Sequence, residues 1–336
     1  MGLKQYLSVF LITIMTLFHA TVMANDITKT NAIEHIVVFG DSYSDNGNDF
    51  NVSYGFYPGG PRYYLGRFSN GMVWSEYLTT HFKLNPFDKR QLKNYAYGQA
   101  LSKGPYYLPV EFSYGTKSYE IPDLAGEVVQ YFNTFPTKME IAKSLFIIYI
   151  GTNDILDFMP TSNTPTALVN RAIKAIQTQV EFLKQQGAEH LLLINLPVLT
   201  HTPIVNNQAK AIHLAKPNIA MKTYLQRVEK TVNTFNKALL TLAKTQSVKL
   251  FDLHNFEKNI HEKIQQGGYP YHFKGQDYTL KHVTTPVYVN NGNYQTPQGP
   301  LKAYPETYYY FDRTHPTTQV HSLIAKAIYQ FLVKKE

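Results

Sequence analysis

Short apolar runs alternate with longer amphipathic stretches through most of this chain. His35-Ile36-Val37-Val38-Phe39 is β-branched and aromatic and stops at Gly40, which predicts a buried strand feeding a tight turn. Leu145 to Ile150 is apolar at every position and stops at Gly151, the pattern of a central parallel strand covered on both faces. From Thr166 to Gln186 the apolar residues Leu168, Ala172, Ile173, Ile176, Val180 and Leu183 keep helical spacing up to Gly187. Leu191 to Ile194 is a further strand. A long helix over 217–244 opens at Pro217 and turns Leu225, Val228, Val232, Phe235, Leu239 and Leu242 to one side. Val248 to Phe251 reads as one more strand. A closing helix runs through Val320, Leu323, Ile324, Ala327, Ile328 and Phe331, with Pro316 suited to its first position.

This alternation predicts one α/β domain over residues 25–336, with a parallel sheet flanked by helices. Ligands of such sheets gather outside the carboxyl ends of the strands. Ser42 and Asn153 each follow a predicted strand directly, so the sheet can bring both to one edge. Residues 49–75 and 267–311 break the alternation. Both are rich in Tyr, Gly, Pro and Asn and are too long for ordinary connections. The tyrosine density, from Tyr269 to Tyr308-Tyr309-Tyr310, predicts packed loops that shape a substrate site over the sheet edge.

The first 24 residues carry a single charge, Lys4, then an apolar run from Tyr6 to Phe18, and end Val22-Met23-Ala24. That is the pattern of a signal peptide cut after Ala24. A membrane anchor needs roughly 20 consecutive apolar residues, and His19 interrupts the run. The expectation is an exported protein, secreted or periplasmic.

Removing the segment takes one Lys from 32 bases and none from 24 acids, lowering the net charge from +8 to +7. A basic surface is drawn to anionic headgroups by an attraction that salt weakens, so transient contact with a membrane surface stands beside a plain solubility role. The lysines are scattered, and nucleic acid is not among the expected partners. The absence of cysteine excludes disulfides, thiolate metal sites and a cysteine nucleophile. A mature chain of about 310 residues can bury a core without them.

Four motifs carry chemistry: Gly40-Asp41-Ser42, Asn94-Tyr95-Ala96-Tyr97-Gly98, Gly151-Thr152-Asn153-Asp154 and Asp312-Arg313-Thr314-His315-Pro316. A serine hydroxyl attacks an acyl carbon when a histidine takes its proton and a carboxylate orients that histidine. Asp312 and His315 lie three residues apart, close enough for the carboxylate to reach the ring. The oxyanion formed by attack needs aimed donors. The backbone N–H groups of Ser42 and Gly98 and the amide of Asn153 are on offer, and glycine allows a substrate close to the backbone.

With these motifs in this order, the chain resembles the GDSL or SGNH hydrolases. The likeness extends through Phe39-Gly40-Asp41-Ser42-Tyr43-Ser44-Asp45-Asn46-Gly47-Asn48 and Gly66-Arg67-Phe68-Ser69-Asn70-Gly71, with Val73-Trp74 and Glu76, and spans nearly the whole mature chain. The resemblance implies a flavodoxin-like three-layer αβα sandwich. It also implies Ser42 as nucleophile, Asp312 and His315 completing the triad, and Gly98 and Asn153 in the oxyanion hole. The extended first block looks most like the secreted bacterial branch of phospholipases A, lysophospholipases and glycerophospholipid:cholesterol acyltransferases, which implies a lipid ester as substrate. Two departures stand out. Tyr43 replaces a common Leu, and Gln99 stands where many members place the second block's key glycine, so the Gln99 N–H is an alternative donor to that of Gly98.

Other catalytic patterns fail. His261-Glu262-Lys263-Ile264-Gln265 has Gln where a zinc protease needs its second His, and Ser44 stands where a nucleophile elbow needs Gly. Reading the acidic stretch around Asp45 to Asp49 as a calcium loop puts Ser42 first and Ser53 in the place of the bidentate Glu. Neither metal nor cofactor is expected. The alternatives to a lipid esterase are a polysaccharide O-acetyl esterase and a binding module that kept the fold without the chemistry.

Overall fold

The computed structural model describes residues 33–158, 165–217, 219–289, 294 and 300–334. The export segment expected over 1–24 and part of the second tyrosine-rich stretch lie outside the described residues. Five strands form one sheet: β1 (His35–Gly40), β2 (Leu92–Asn94), β5 (Ser144–Tyr149), β6 (His190–Ile194) and β7 (Lys249–Phe251), in the order β2-β1-β5-β6-β7. All four pairings are parallel. Two antiparallel hairpins stand apart from it, β3 (Tyr106–Phe112) with β4 (Gly115–Ile121), and β8 (Tyr269–Phe273) with β9 (Gln276–Leu280).

Side chains alternate across a strand, so a run apolar at every position feeds two cores. Val37, Phe39, Phe146, Ile148, Leu191 and Leu193 face one core. Ile36, Val38, Leu145, Ile147, Leu192 and Ile194 face the other. The helices, in chain order, are α1 (Asn48–Val52), α2 (Trp74–His81), α3 (Leu124–Phe132), α4 (Lys138–Ala142), α5 (Thr152–Phe158), α6 (Pro165–Gln185), α7 (Pro203–Ala215), α8 (Met221–Gln246), α9 (Leu253–Gln265) and α10 (Thr318–Val333). Apolar faces of α3, α6, α7 and α8 close the first core. Those of α2, α9 and α10 close the second, giving the three-layer αβα sandwich.

Two helix starts differ from expectation. The long helix begins at Met221, after Ala220 in extended backbone, while Pro217 marks the end of α7 by holding Lys216 out of the helical region. The closing helix begins at Thr318. Pro316 instead bridges Tyr310, and the Phe311 N–H donates to the His315 carbonyl at 2.8 Å, so residues 310–316 form a tight loop ahead of the helix.

The register sets Gly40 beside Tyr149 at the carboxyl ends of β1 and β5. A Cβ on Gly40 would sit 2.2 Å from the Tyr149 carbonyl oxygen, so only glycine lets the two chains leave the sheet this close together. Ser42 and Asn153 follow within a few residues on adjacent strands.

Candidate active site

Ser42, Asp312 and His315 come together at the carboxyl edge of the sheet. His315 Nδ1 lies 2.9 Å from Asp312 Oδ2 and 3.0 Å from Oδ1, and Nε2 lies 2.7 Å from Ser42 Oγ. An ionised carboxylate only accepts, so the imidazole proton sits on Nδ1 and Nε2 is left to take the serine proton. Asp312 is fully buried. Burial alone would raise its pKa, but His315 and the N–H groups of Thr314 and His315, at 2.8 and 2.7 Å, outweigh that and hold the carboxyl below its usual range. Tyr63 adds a further donor, its hydroxyl 3.0 Å from Asp312 Oδ2.

The Gly66–Gly71 motif explains how the His315 loop is held. Arg67 makes a buried two-pronged pair with Glu76, Nη2 to Oε1 at 2.6 Å and Nε to Oε2 at 3.3 Å, and also donates to the Leu65 carbonyl. That arrangement presents Ser69 Oγ to the Pro316 carbonyl at 2.8 Å and Asn70 Oδ1 to the Thr318 N–H at 2.9 Å. Asn70 thereby satisfies the first N–H of α10, which Thr317 does not cap. Tyr43 anchors the loop from the opposite block, donating to the Thr314 carbonyl at 2.8 Å. A leucine there would lack this bond.

On the donor side, Asn153 is buried at the start of α5, and its Nδ2 donates to the Ala100 carbonyl at 3.0 Å. One amide proton holds the group and the other remains to be offered. Its neighbour Asp154 accepts from the Ser102 N–H and hydroxyl, tying the two segments together. The Ser42 N–H makes no hydrogen bond among the described residues.

Gly98 does not offer its N–H to the pocket. That group donates to Asp45 Oδ2 at 3.0 Å, within a set in which Gly47, Asn48 and Asp49 also donate to the same carboxylate. Burial raises the Asp45 pKa, and these four N–H groups oppose the rise. Glycine is needed at 98 for packing: a Cβ would lie 2.3 Å from Asp49 Oδ2 and 2.5 Å from the Phe68 ring. The next residue, Gln99, takes a left-handed backbone at φ 63°, and its N–H has no partner among the described residues.

Aromatic rings cover the pair. Phe68 lies 5.0 Å from the His315 ring, with Tyr43 at 5.7 Å and Tyr294 at 6.0 Å. Ser42 is 5% exposed and His315 3%. A cleft of about 570 Å³ at the carboxyl ends of β6 and β7, lined by Asn195, Leu199, His201, Leu250, Asp252 and His254 among others, includes neither residue. Among the described residues no group of three or more His, Asp or Glu is placed to hold a metal ion.

Residues 36–328 match the family model of the GDSL-like lipases and acylhydrolases. The chain belongs to that family. Among curated relatives, the chain is 32% identical over 247 residues to a phosphatidylcholine-sterol acyltransferase of Aeromonas hydrophila, covering 72% of this chain and 64% of that protein. It is 24% identical over 324 residues to the thermolabile hemolysin of Vibrio parahaemolyticus, covering 92% of this chain and 66% of that protein. An acetylesterase of Thermothelomyces thermophilus is 26% identical over 209 residues, 57% of this chain and 65% of its own length. The chain thus spans somewhat less than two thirds of the length of these relatives. Tyr63 carries no local signal, since it acts through Asp312, 249 positions away; Asp45 lies in the first motif block, but nothing local there shows that it takes the Gly98 N–H.

Proposed function

We propose that the protein is an exported serine esterase acting on lipid carboxylic esters, as a phospholipase A or lysophospholipase, through an acyl-Ser42 intermediate. The observation that carries this reading is the line from Asp312 through His315 to Ser42 Oγ, at 2.9 and 2.7 Å, under an aromatic shell. Ser42 attacks the ester carbonyl as Nε2 takes its proton. The oxyanion is held by Asn153 Nδ2 and the N–H groups of Ser42 and Gln99, the last in place of Gly98. The alcohol leaves with the proton from His315, and water, activated in the same way, releases the acid. A sterol or other alcohol in the place of water turns the same intermediate into acyl transfer. Export rests on the pattern of residues 1–24.

A lipid substrate is supported by what surrounds the site. Loop residues 53–57 and the β3–β4 hairpin build an aromatic tip. Phe56 packs on Phe112 at 4.8 Å, Phe112 stacks on Tyr114 at 5.1 Å, and Tyr54 lies 6.1 Å from Tyr119. Tyr54 is 74% and Tyr114 81% exposed. The Lys117 ammonium lies 4.9 Å from the Tyr119 ring centre. Tyrosine beside a cation suits a headgroup region, where one end of the ring is apolar and the other wet. Tyr57, in the same loop, points inward to Phe68 and Tyr294, the rings that touch His315. The tip therefore adjoins the covered site.

The likeness to the acetylesterase supports the second reading, removal of acetyl groups from polysaccharide. Incubating purified protein with one-chain and two-chain phospholipids, with and without cholesterol, and with acetylated xylan separates them. Fatty acid release from phospholipid is expected; turnover of acetylated xylan alone would give the site to the second reading.

A further inference from the structure

We infer that Tyr63 is a positioning residue for the Asp312–His315–Ser42 line, so that the proton relay is completed from the tyrosine-rich loop as well as from the three motif blocks. This rests on the esterase reading given above. Tyr63 stands 249 positions from Asp312 in the chain, yet its hydroxyl donates to Asp312 Oδ2 at 3.0 Å. Oδ2 is the carboxylate oxygen nearer to His315 Nδ1.

The two carboxylate oxygens are held differently. Oδ1 accepts two backbone N–H groups from its own loop, at 2.8 and 2.7 Å. Oδ2 meets His315 Nδ1 at 2.9 Å and accepts the Tyr63 hydroxyl at 3.0 Å, so Tyr63 adds a donor on the side of the imidazole that resists rotation of the carboxylate about its Cβ–Cγ bond. Asp312 is wholly buried, so a lost donor on Oδ2 is not replaced cheaply by solvent. An imidazole facing a turned carboxylate loses the alignment that proton transfer from Ser42 requires.

The hydroxyl is placed by its ring. Tyr63 meets Phe311 edge-on at 5.4 Å, Tyr294 at 5.8 Å, Tyr288 at 6.2 Å and Phe68 at 6.3 Å. Phe311 adjoins Asp312 in the chain, and Phe68 and Tyr294 also lie against His315. The same rings that wall the site therefore seat the donor, and Tyr63 links the shape of the substrate loop to the competence of Ser42. Its side chain acts on Ser42 through Asp312 and His315.

The test uses Tyr63→Phe, which keeps the ring and its packing, and Tyr310→Phe as control. Tyr310 is also fully buried, and its hydroxyl has no partner among the described residues. One readout is the second-order rate at which a fluorophosphonate labels Ser42, which needs no knowledge of the natural substrate. The other is the low-field proton resonance of His315 Nδ1–H, which reports the bond to Asp312. Tyr63→Phe is expected to slow labelling about tenfold, the size of effect that follows from losing one hydrogen bond to a buried carboxylate, and to shift the resonance. Tyr310→Phe is expected to change neither. A labelling rate for Tyr63→Phe within twofold of wild type, with the resonance unmoved, overturns the inference. No labelling of wild-type Ser42 overturns the esterase reading instead, and the resonance still decides the role of Tyr63.

Discussion

Asn153 holds the Ala100 carbonyl with one amide proton and, in the proposed mechanism, offers the other to the oxyanion, which predicts how it fails when removed. With one proton on the Ala100 carbonyl, the group is fixed before substrate arrives. Asn153→Ala is expected to lower kcat by about 100-fold with little change in KM, since the lost bond forms to the developing oxyanion; steady-state kinetics on a soluble ester checks this, and an equal rise in KM would assign Asn153 to ground-state binding. Gln99 separates backbone from side chain. Its left-handed backbone costs a non-glycine residue on the order of 1 kcal/mol, and its Nε2 donates to the Tyr57 hydroxyl at 3.2 Å. Gln99→Gly keeps the N–H and relieves the backbone, so kcat on a short soluble ester should stay within a few-fold of wild type. A hundredfold loss would move the role to the side chain. The motifs pointed to Ser42, Asp312 and His315, side chains with few chemical substitutes, and the structure brings those three within hydrogen-bond reach of one another. They could not show that the Gly98 N–H is taken by Asp45, because a glycine required by its neighbours looks the same in one dimension as a glycine required by a ligand.

The strands deliver these residues, and the elements around them carry titratable groups that the sequence pattern does not reveal. Glu257 in α9 is fully buried, accepting the Tyr309 hydroxyl at 2.7 Å and the Val198 N–H at 3.0 Å. It thereby ties the segment before Asp312 to the loop after β6. Burial pushes its pKa up to about 7, against the opposing pull of those two donors. A carboxyl that binds its proton more tightly folded than unfolded favours the fold where it is protonated, so its contribution falls as pH rises from the unfolded value of about 4.3 through 7. Glutamine does not titrate. The urea midpoint of Glu257→Gln relative to wild type should therefore move in the variant's favour between pH 5 and pH 8.5, and a gap independent of pH would contradict the assignment. β1, β5, β6, α6 and α10 were readable from periodicity because they bury a continuous stripe, and the short β7 from the apolar residues around it, Val248, Leu250 and Phe251. β2 has three residues of which one is buried, and the hairpins keep much of their length in solvent, so neither leaves a pattern. The spacing of Leu253, Phe256, Ile260 and Ile264 did carry the signal for α9.

Over the whole molecule, the covered pair and the exposed aromatic tip belong to one arrangement, since Tyr54 and Phe56 face outward from the loop that turns Tyr57 inward. Replacing Phe56 and Tyr114 together by Ser should weaken binding to phosphatidylcholine–phosphatidylglycerol vesicles severalfold, measured by co-sedimentation, while hydrolysis of a soluble short-chain ester is retained. Unchanged vesicle binding would separate the tip from the lipid. The net charge of +8 adds an attraction to the anionic component that should fade with salt. No local pattern showed that residues 273 positions apart would meet; only the order of the motifs and their places at strand ends pointed there. If folding makes Ser42 a nucleophile through His315, peptide mass spectrometry of fluorophosphonate-treated protein should find one adduct, on the peptide carrying Ser42, and none in folded His315→Gln. An unlabelled wild-type protein, or a His315→Gln variant labelled as fast as wild type, would contradict it.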